Sequence, residues 1–186
     1  MKIILASNSP RRRELLSSFK IEFTVISSDF EEKGESLDPV KTAESFALGK
    51  AEDVFNKLTD KNDVLVLGAD TVVFLDGEIL GKPKNEEEAK NMLKKLSGKT
   101  HTVVTGFALI NKGQKIVGHD KTLVTFNDLS DALISEYVDS GLYRGKAGSY
   151  GIQDGFPLVK RYVGSLNNVI GLPTEKIFEH FKELNI

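Results

Sequence analysis

The side chains best suited to chemistry fall in five short stretches. In Ser7-Asn8-Ser9-Pro10-Arg11-Arg12-Arg13-Glu14, a capping serine and a proline fit for the first helical position precede three arginines in one helical turn. A helix N-terminus already carries about +0.5 charge, so each added cation there costs about 0.3–1 kcal/mol at low salt, and Glu14 offsets only part of it. Free backbone N–H groups, capping hydroxyls and guanidinium forks at such a turn suit phosphate oxygens. The alternative is a solvated charge cluster.

The helix pattern Pro39 to Lys57 has an apolar stripe of Val40, Ala43, Ala47, Ala51 and Val54, and Lys50 falls at its edge. A lysine there needs an anion or must snorkel to water. Gly49 beside it costs about 1 kcal/mol relative to alanine, a penalty accepted where a ligand or another backbone comes close. Further on, the apolar run Val64 to Leu67 ends in Gly68-Ala69-Asp70, which puts an acid at a strand's C-terminal end, the usual ligand side of an open α/β sheet. Asp76-Gly77 signals a two-residue hairpin, and counting back from it sets Leu75 against Glu78, Phe74 against Ile79 and Thr71 against Lys82. Lys82 would then lie beside Asp70 and Thr71, either as part of a site or as a surface salt bridge at the hairpin base.

The segment Ser28 to Glu35 contains several carboxylates. One of them paired with Asp70 would give two hard oxygen ligands for Mg²⁺ or Mn²⁺. His101, His119 and His180 are scattered without metal-ligand spacing and read as structural or surface residues. The stretch Gly145 to Gly155 is a glycine-rich turn able to bring main-chain N–H groups to a ligand, with Gln153 offering donor and acceptor to a base edge and the Tyr150 ring near it. It lacks the spacing and the Gly-Lys-Ser/Thr end of a P-loop.

Short strand patterns at Lys2 to Ala6, Phe23 to Ile26, Val64 to Leu67, Thr102 to Ile110, Leu123 to Phe126 and Leu158 to Val163 alternate with helix patterns. The helices are expected at Pro10 to Phe19, Pro39 to Lys57, Glu86 to Leu96, Ser130 to Val138 and Thr174 to Leu184. That order predicts an α/β fold with a mixed sheet covered by helices. The 186 residues suit one domain, 1–186, with no linker or repeat to divide it. With 25 Lys and Arg against 27 Asp and Glu, no whole-molecule field draws the chain to nucleic acid or an anionic membrane, so any basic site must be local. The absence of cysteine excludes disulfides, thiolate metal sites and a cysteine nucleophile, and fits a cytoplasmic protein. No apolar run approaches the ~20 residues of a membrane span.

Taken in order, LASNSPRRRELL, FEE, Lys50-Ala51, GADTVV, Gly81-Lys82-Pro83, LSGKTHTVVTG, GKAGSYGIQ and NNVIGLP resemble the Maf family of nucleoside triphosphate pyrophosphatases over almost the whole chain. Arg11, GADT and YGIQ resemble the branch acting on dTTP and UTP. The resemblance implies hydrolysis between the α- and β-phosphates with a divalent cation, giving a nucleoside monophosphate and pyrophosphate. It implies an elongated mixed sheet flanked by helices, with two lobes around a nucleotide cleft, similar to inosine triphosphate pyrophosphatases, and a homodimer. By the same resemblance Ser7, Arg12, Lys50 and Lys82 hold the triphosphate, Glu32 and Asp70 serve metal and water, Asp70 is the proton acceptor, and Arg11, Thr71 and Gln153 set specificity. Arg13 is an additional arginine where the family varies, which leaves open which arginine meets phosphate, and Asp154 to Val159 is shorter than the family's usual connection. Two other readings stand beside this one: a house-cleaning pyrophosphatase for non-standard nucleotides, and a nucleotide-binding regulator of cell division without turnover.

Overall fold

Strand β3 (Val64–Leu75) is the spine of the molecule, a twelve-residue strand buried over most of its length. In the computed structural model, which describes residues 1–33 and 38–184, it pairs along one edge with β5 (Thr100–Ile110), antiparallel from Val66↔Ile110 to Phe74↔Thr102. Its other edge is shared. Strand β1 (Lys2–Ala6) covers it in parallel from Lys2↔Val64 to Ala6↔Gly68, and the short β4 (Glu78–Leu80) covers it antiparallel from Val73↔Leu80 to Leu75↔Glu78. Between Gly68 and Val73 that edge has no strand partner among the described residues. Strands β2 (Phe23–Val25), β6 (Lys115–Phe126) and β7 (Val159–Val163) complete a mixed sheet of order β2-β1-β3-β5-β6-β7, as the alternating pattern predicts.

The helices are α1 (Pro10–Ser18), α2 (Pro39–Lys57), α3 (Glu86–Leu96), α4 (Asp131–Asp139), α5 (Leu166–Ile170) and α6 (Thr174–Glu183). Asp38 caps α2, accepting from the backbone N–H of Val40 at 2.9 Å, and Pro39 takes the first helical position. Five-residue α5 is too short to give a periodic signal in sequence; a cap from Ser165 to Asn168 N–H at 3.1 Å and its burial against β5 and β6 hold it. Among the described residues no helix is long and apolar enough to cross a membrane.

The period-two alternation of the strands sorts the core. Val64 and Val66 join Ile4, Ala6 and the Ala47, Ala51 and Val54 stripe of α2 on one face. On the other face Leu65, Leu67 and Ala69 pack with Leu16 of α1 and Ile177 and Phe181 of α6, while Val73 and Leu75 join a separate core with α3 and α4. Two apolar cores therefore flank β3 on the same side, and the residue between them is Thr71.

Two sequence expectations change here. Asp70 is not at the end of a strand, because β3 runs on through it; what ends beside it is β1. The hairpin register is as counted for Leu75↔Glu78 and Phe74↔Ile79, but the ladder stops at Val73↔Leu80, so Thr71 and Lys82 are not paired. The carbonyl of Gly81 accepts instead from Gly148 N–H at 3.0 Å, which draws the chain away from β3.

Helix α2 lies directly on β3 and β5 because glycine sits beneath it. A Cβ at Gly68 would collide with the Ala47 carbonyl, and one at Gly106 with the backbone of Ala43 and Glu44. Neither obstacle is a side chain that could turn aside. Gly106→Ala should therefore lower the unfolding free energy by about 1–3 kcal/mol by overpacking. Urea titration checks this, and an unchanged midpoint would mean that the helix does not rest on the strand.

Candidate active site

Where β3 lacks its edge partner, a cavity of about 450 Å³ opens. Among the described residues it is lined by six basic ones, Arg11, Arg12, Lys50, Lys82, Arg144 and Lys146, against two acidic ones, Glu32 and Asp70. The local excess of positive charge stands out in a chain whose net charge is −2.

On the α2 side the charges form a chain. The Lys50 ammonium donates to Asp70 Oδ1 at 2.5 Å and lies 2.6 Å from Glu32 Oε1, and Lys82 donates to the same Glu32 oxygen at 3.2 Å. The side chains of Lys50 and Asp70 are only 12% and 6% exposed, so Lys50 does not snorkel; the anion it requires is Asp70. Burial pushes the Glu32 carboxyl up, but the hydrogen bond and charge of Lys50, then those of Lys82, outweigh this and hold it below its ordinary value. Gly49 explains how Glu32 arrives. A Cβ there would collide with the Phe30 ring, which lies over α2 with its centroid 6.2 Å from that of Phe46. The bare glycine seats the ring, and Glu32 follows two residues later. Of the acidic segment singled out in sequence, Gly34 and Glu35 lie outside the described residues.

On the opposite face Arg12 turns back from the first turn of α1. Its Nε donates to the Gly171 carbonyl at 2.7 Å, Nη2 to Thr71 Oγ1 at 3.1 Å and Nη1 to Ser7 Oγ at 3.4 Å. Among the described residues no carboxylate oxygen comes within ion-pair distance of it. Burial lowers its pKa, with Asp70 the main charge opposing that shift. The crowded cation of α1 is thus held by neutral acceptors beside a cavity. Arg11 also lines the cavity, and its Nη2 donates to the Gly145 carbonyl at 3.4 Å. Arg13 does not join them. Its side chain is exposed and outside the lining, because one further step around α1 turns it to solvent.

Ser7, Arg11, Arg12, Glu32, Lys50, Asp70, Thr71, Lys82 and Gln153 therefore meet in one cavity. Sequence reading missed what holds them. Asn168, fully buried, accepts from Thr105 N–H at 3.1 Å and donates to the Val103 carbonyl at 3.1 Å and Thr122 Oγ1 at 2.9 Å. Thr105 Oγ1 is 2.9 Å from Thr71 Oγ1, so this neutral network backs the hydroxyl that holds Arg12. The signal was present in the Asn167-Asn168 pair, where a polar amide interrupts an apolar run.

A family model described as Maf-like protein matches residues 2–184. The chain belongs to the Maf-like family. A Ruminiclostridium cellulolyticum member named dTTP/UTP pyrophosphatase is 46% identical over 188 residues, covering 98% of this chain and 96% of its own. A Pyrococcus furiosus member of the same name is 49% identical over 173 residues, covering 92% and 90%. Among solved structures, the Staphylococcus aureus Ham1 protein aligns with a TM-score of 0.50 at 19% identity, over 69% of this chain and 73% of its own, a likeness of fold.

One wall of the cavity is aromatic. Tyr150, which lines it, shares a 2.7 Å hydrogen bond with His101 Nε2, and both rings pack edge-on against Phe126. His101 is 2% exposed, and its Nδ1 is buried with no partner among the described residues. Burial lowers its pKa from 6.5 to about 4. Between those values the unfolded chain binds the proton and the folded one does not, so stability is full above the unfolded value and falls as pH drops toward the folded one. Wild type should lose about 3 kcal/mol more than His101→Phe between about pH 7.5 and about pH 4. Denaturant titrations at the two pH values measure the difference, and parallel losses would show that folded His101 takes up its proton normally.

Proposed function

We propose that this protein is a nucleoside triphosphate pyrophosphatase that hydrolyses dTTP and UTP to the nucleoside monophosphate and pyrophosphate, acting on free nucleotides in the cytoplasm. The observation that carries the reading is the convergence of Arg12, Lys50 and Lys82 with Asp70 in one cavity where, among the described residues, basic ones outnumber acidic ones by six to two. A triphosphate, with about four negative charges, answers that excess. The names of the two relatives support the choice of pyrimidine nucleotides.

In this reading Ser7, Arg12, Lys50 and Lys82 hold the phosphate oxygens and neutralise the charge that grows as the α–β bond breaks. Lys50 passes hydrogen bonds from the carboxylates to phosphate, which frees Asp70 Oδ1 to act as general base. A water oxygen in line with the leaving group attacks the α-phosphorus, its proton passes to Asp70, and the bridging oxygen departs with pyrophosphate. Glu32 and Asp70 would hold a divalent cation, Mg²⁺ or Mn²⁺. Their oxygens already flank one positive charge, the Lys50 ammonium, at 2.6 and 2.5 Å, and two carboxylates are a donor set from which such ions are commonly held, with water and phosphate completing the shell. When bound, the ion would supply Lewis-acid neutralisation of phosphate charge. Gln153, exposed at the cavity, offers its amide to the O4/N3–H edge of uracil or thymine, and Arg11 lines the same cavity.

A nucleotide panel with pyrophosphate detection tests the reading. Substoichiometric protein should release many equivalents from dTTP and UTP. A preference for non-standard purine nucleotides would reassign the enzyme to nucleotide house-cleaning, and no turnover would leave a binding protein. Asp70→Asn keeps the shape and removes the basicity, so turnover should fall at least roughly 10²-fold with an unchanged circular dichroism spectrum. Near-normal turnover would remove Asp70 from the role of base.

A further inference from the structure

Behind Gln153 lies a buried charge cluster of which the hydrolytic reading uses only the positive charge of Lys146. The Lys146 ammonium donates to Asp154 Oδ2, and both side chains are only 7% exposed. The Tyr137 hydroxyl of α4 donates to the same oxygen at 2.6 Å, and Gly151 N–H donates to Tyr137 Oη at 3.1 Å. A Cβ on Gly151 would collide with the Asp154 carboxylate, so the loop is wrapped around that group. Lys146, Gly151 and Gln153 line the cavity, whereas Asp154 stands behind the wall. At the loop's other end Arg11 binds the Gly145 carbonyl, and Asp154 is the leading charge that counters the effect of burial on Arg11. One carboxylate thus ties α4, both ends of the glycine-rich turn and, through its charge, α1.

We propose that Asp154 is a positioning residue for nucleotide selectivity, its buried carboxylate holding the loop so that Gln153 and Arg11 present a fixed edge to the base. The inference rests on the pyrophosphatase reading above. It separates cleanly from the hydrolytic groups, because Asp154 touches none of Ser7, Arg12, Glu32, Lys50, Asp70 or Lys82. An amide in its place keeps the volume but leaves the Lys146 ammonium buried without a counter-charge, so the loop must relax to let it reach water.

The test is steady-state kinetics of Asp154→Asn with dTTP and dGTP. The dTTP KM should rise about tenfold with kcat within about twofold of wild type, and the ratio of kcat/KM for dTTP over dGTP should fall about tenfold. An unchanged ratio overturns the proposal, as does an equal loss on both nucleotides carried by kcat, since that is what a merely structural role produces. Should Asp154→Asn fail to fold, Tyr137→Phe removes the two hydrogen bonds of the Tyr137 hydroxyl, to Asp154 and from Gly151, and leaves the ion pair. A fall of about threefold in the ratio then supports the proposal, and none overturns it. A wild-type protein that turns over neither nucleotide would sink the pyrophosphatase reading itself, and this inference with it.

Discussion

Neighbouring residues of a strand point to opposite faces of its sheet, and Asp70 and Thr71 are neighbours. Both nevertheless serve one cavity. This is possible because, among the described residues, the edge of β3 has no strand partner between the end of β1 at Ala6 and the end of β4 at Leu80, so the cavity wraps around the strand. Asp70 reaches Lys50 on the α2 face, and Thr71 reaches Arg12 on the α1 face. A single continuous edge strand would close that passage and separate the carboxylate from the guanidinium.

The charges that meet there are arranged for a partner. Removing a cation from water costs several kcal/mol, which is recovered only with good opposite charge and full hydrogen bonding. Lys50 meets this condition through Glu32 and Asp70, but among the described residues Arg12 has a carbonyl and two hydroxyls as its acceptors. An anion with several oxygens would complete Arg12 and compete with the carboxylates for Lys50 and Lys82. On the function proposed above, this arrangement would favour a polyphosphate over an anion with fewer oxygens.

Neutral groups keep these charges in place. The Asn168 network joins β5, β6 and α5 under Thr71, and the His101–Tyr150 pair stiffens the wall opposite. Neither contributes charge to the cavity. The hydrogen bonds of the Asn168 network and the aromatic packing around Tyr150 limit the geometries available to the residues that do, which is how preorganisation lowers the cost of binding.

Much of this was legible in the residues alone. Lysine at the edge of an apolar helix stripe, arginines crowded against a helix N-terminus and a carboxylate ending an apolar run each violate a local preference, and Lys50, Asp70 and two of the three arginines, Arg11 and Arg12, lie in the cavity. Helix α2 was readable to its ends because Asp38, Pro39 and a regular stripe act within a few residues. What the residues did not reveal depends on contacts between distant segments. The continuation of β3 past Asp70 is decided by β5, which pairs with it through Phe74, and the early end of the hairpin by Gly148, which takes the Gly81 carbonyl. By residue type and helix position alone Arg12 and Arg13 are alike; the positions of Gly171 and Thr71 put Arg12, and not Arg13, on the cavity. Local chemistry thus determined which side chains need a partner, and tertiary structure decided which partners they meet, because hydrogen bonds and charge act over a few ångströms while the groups concerned stand up to 159 residues apart.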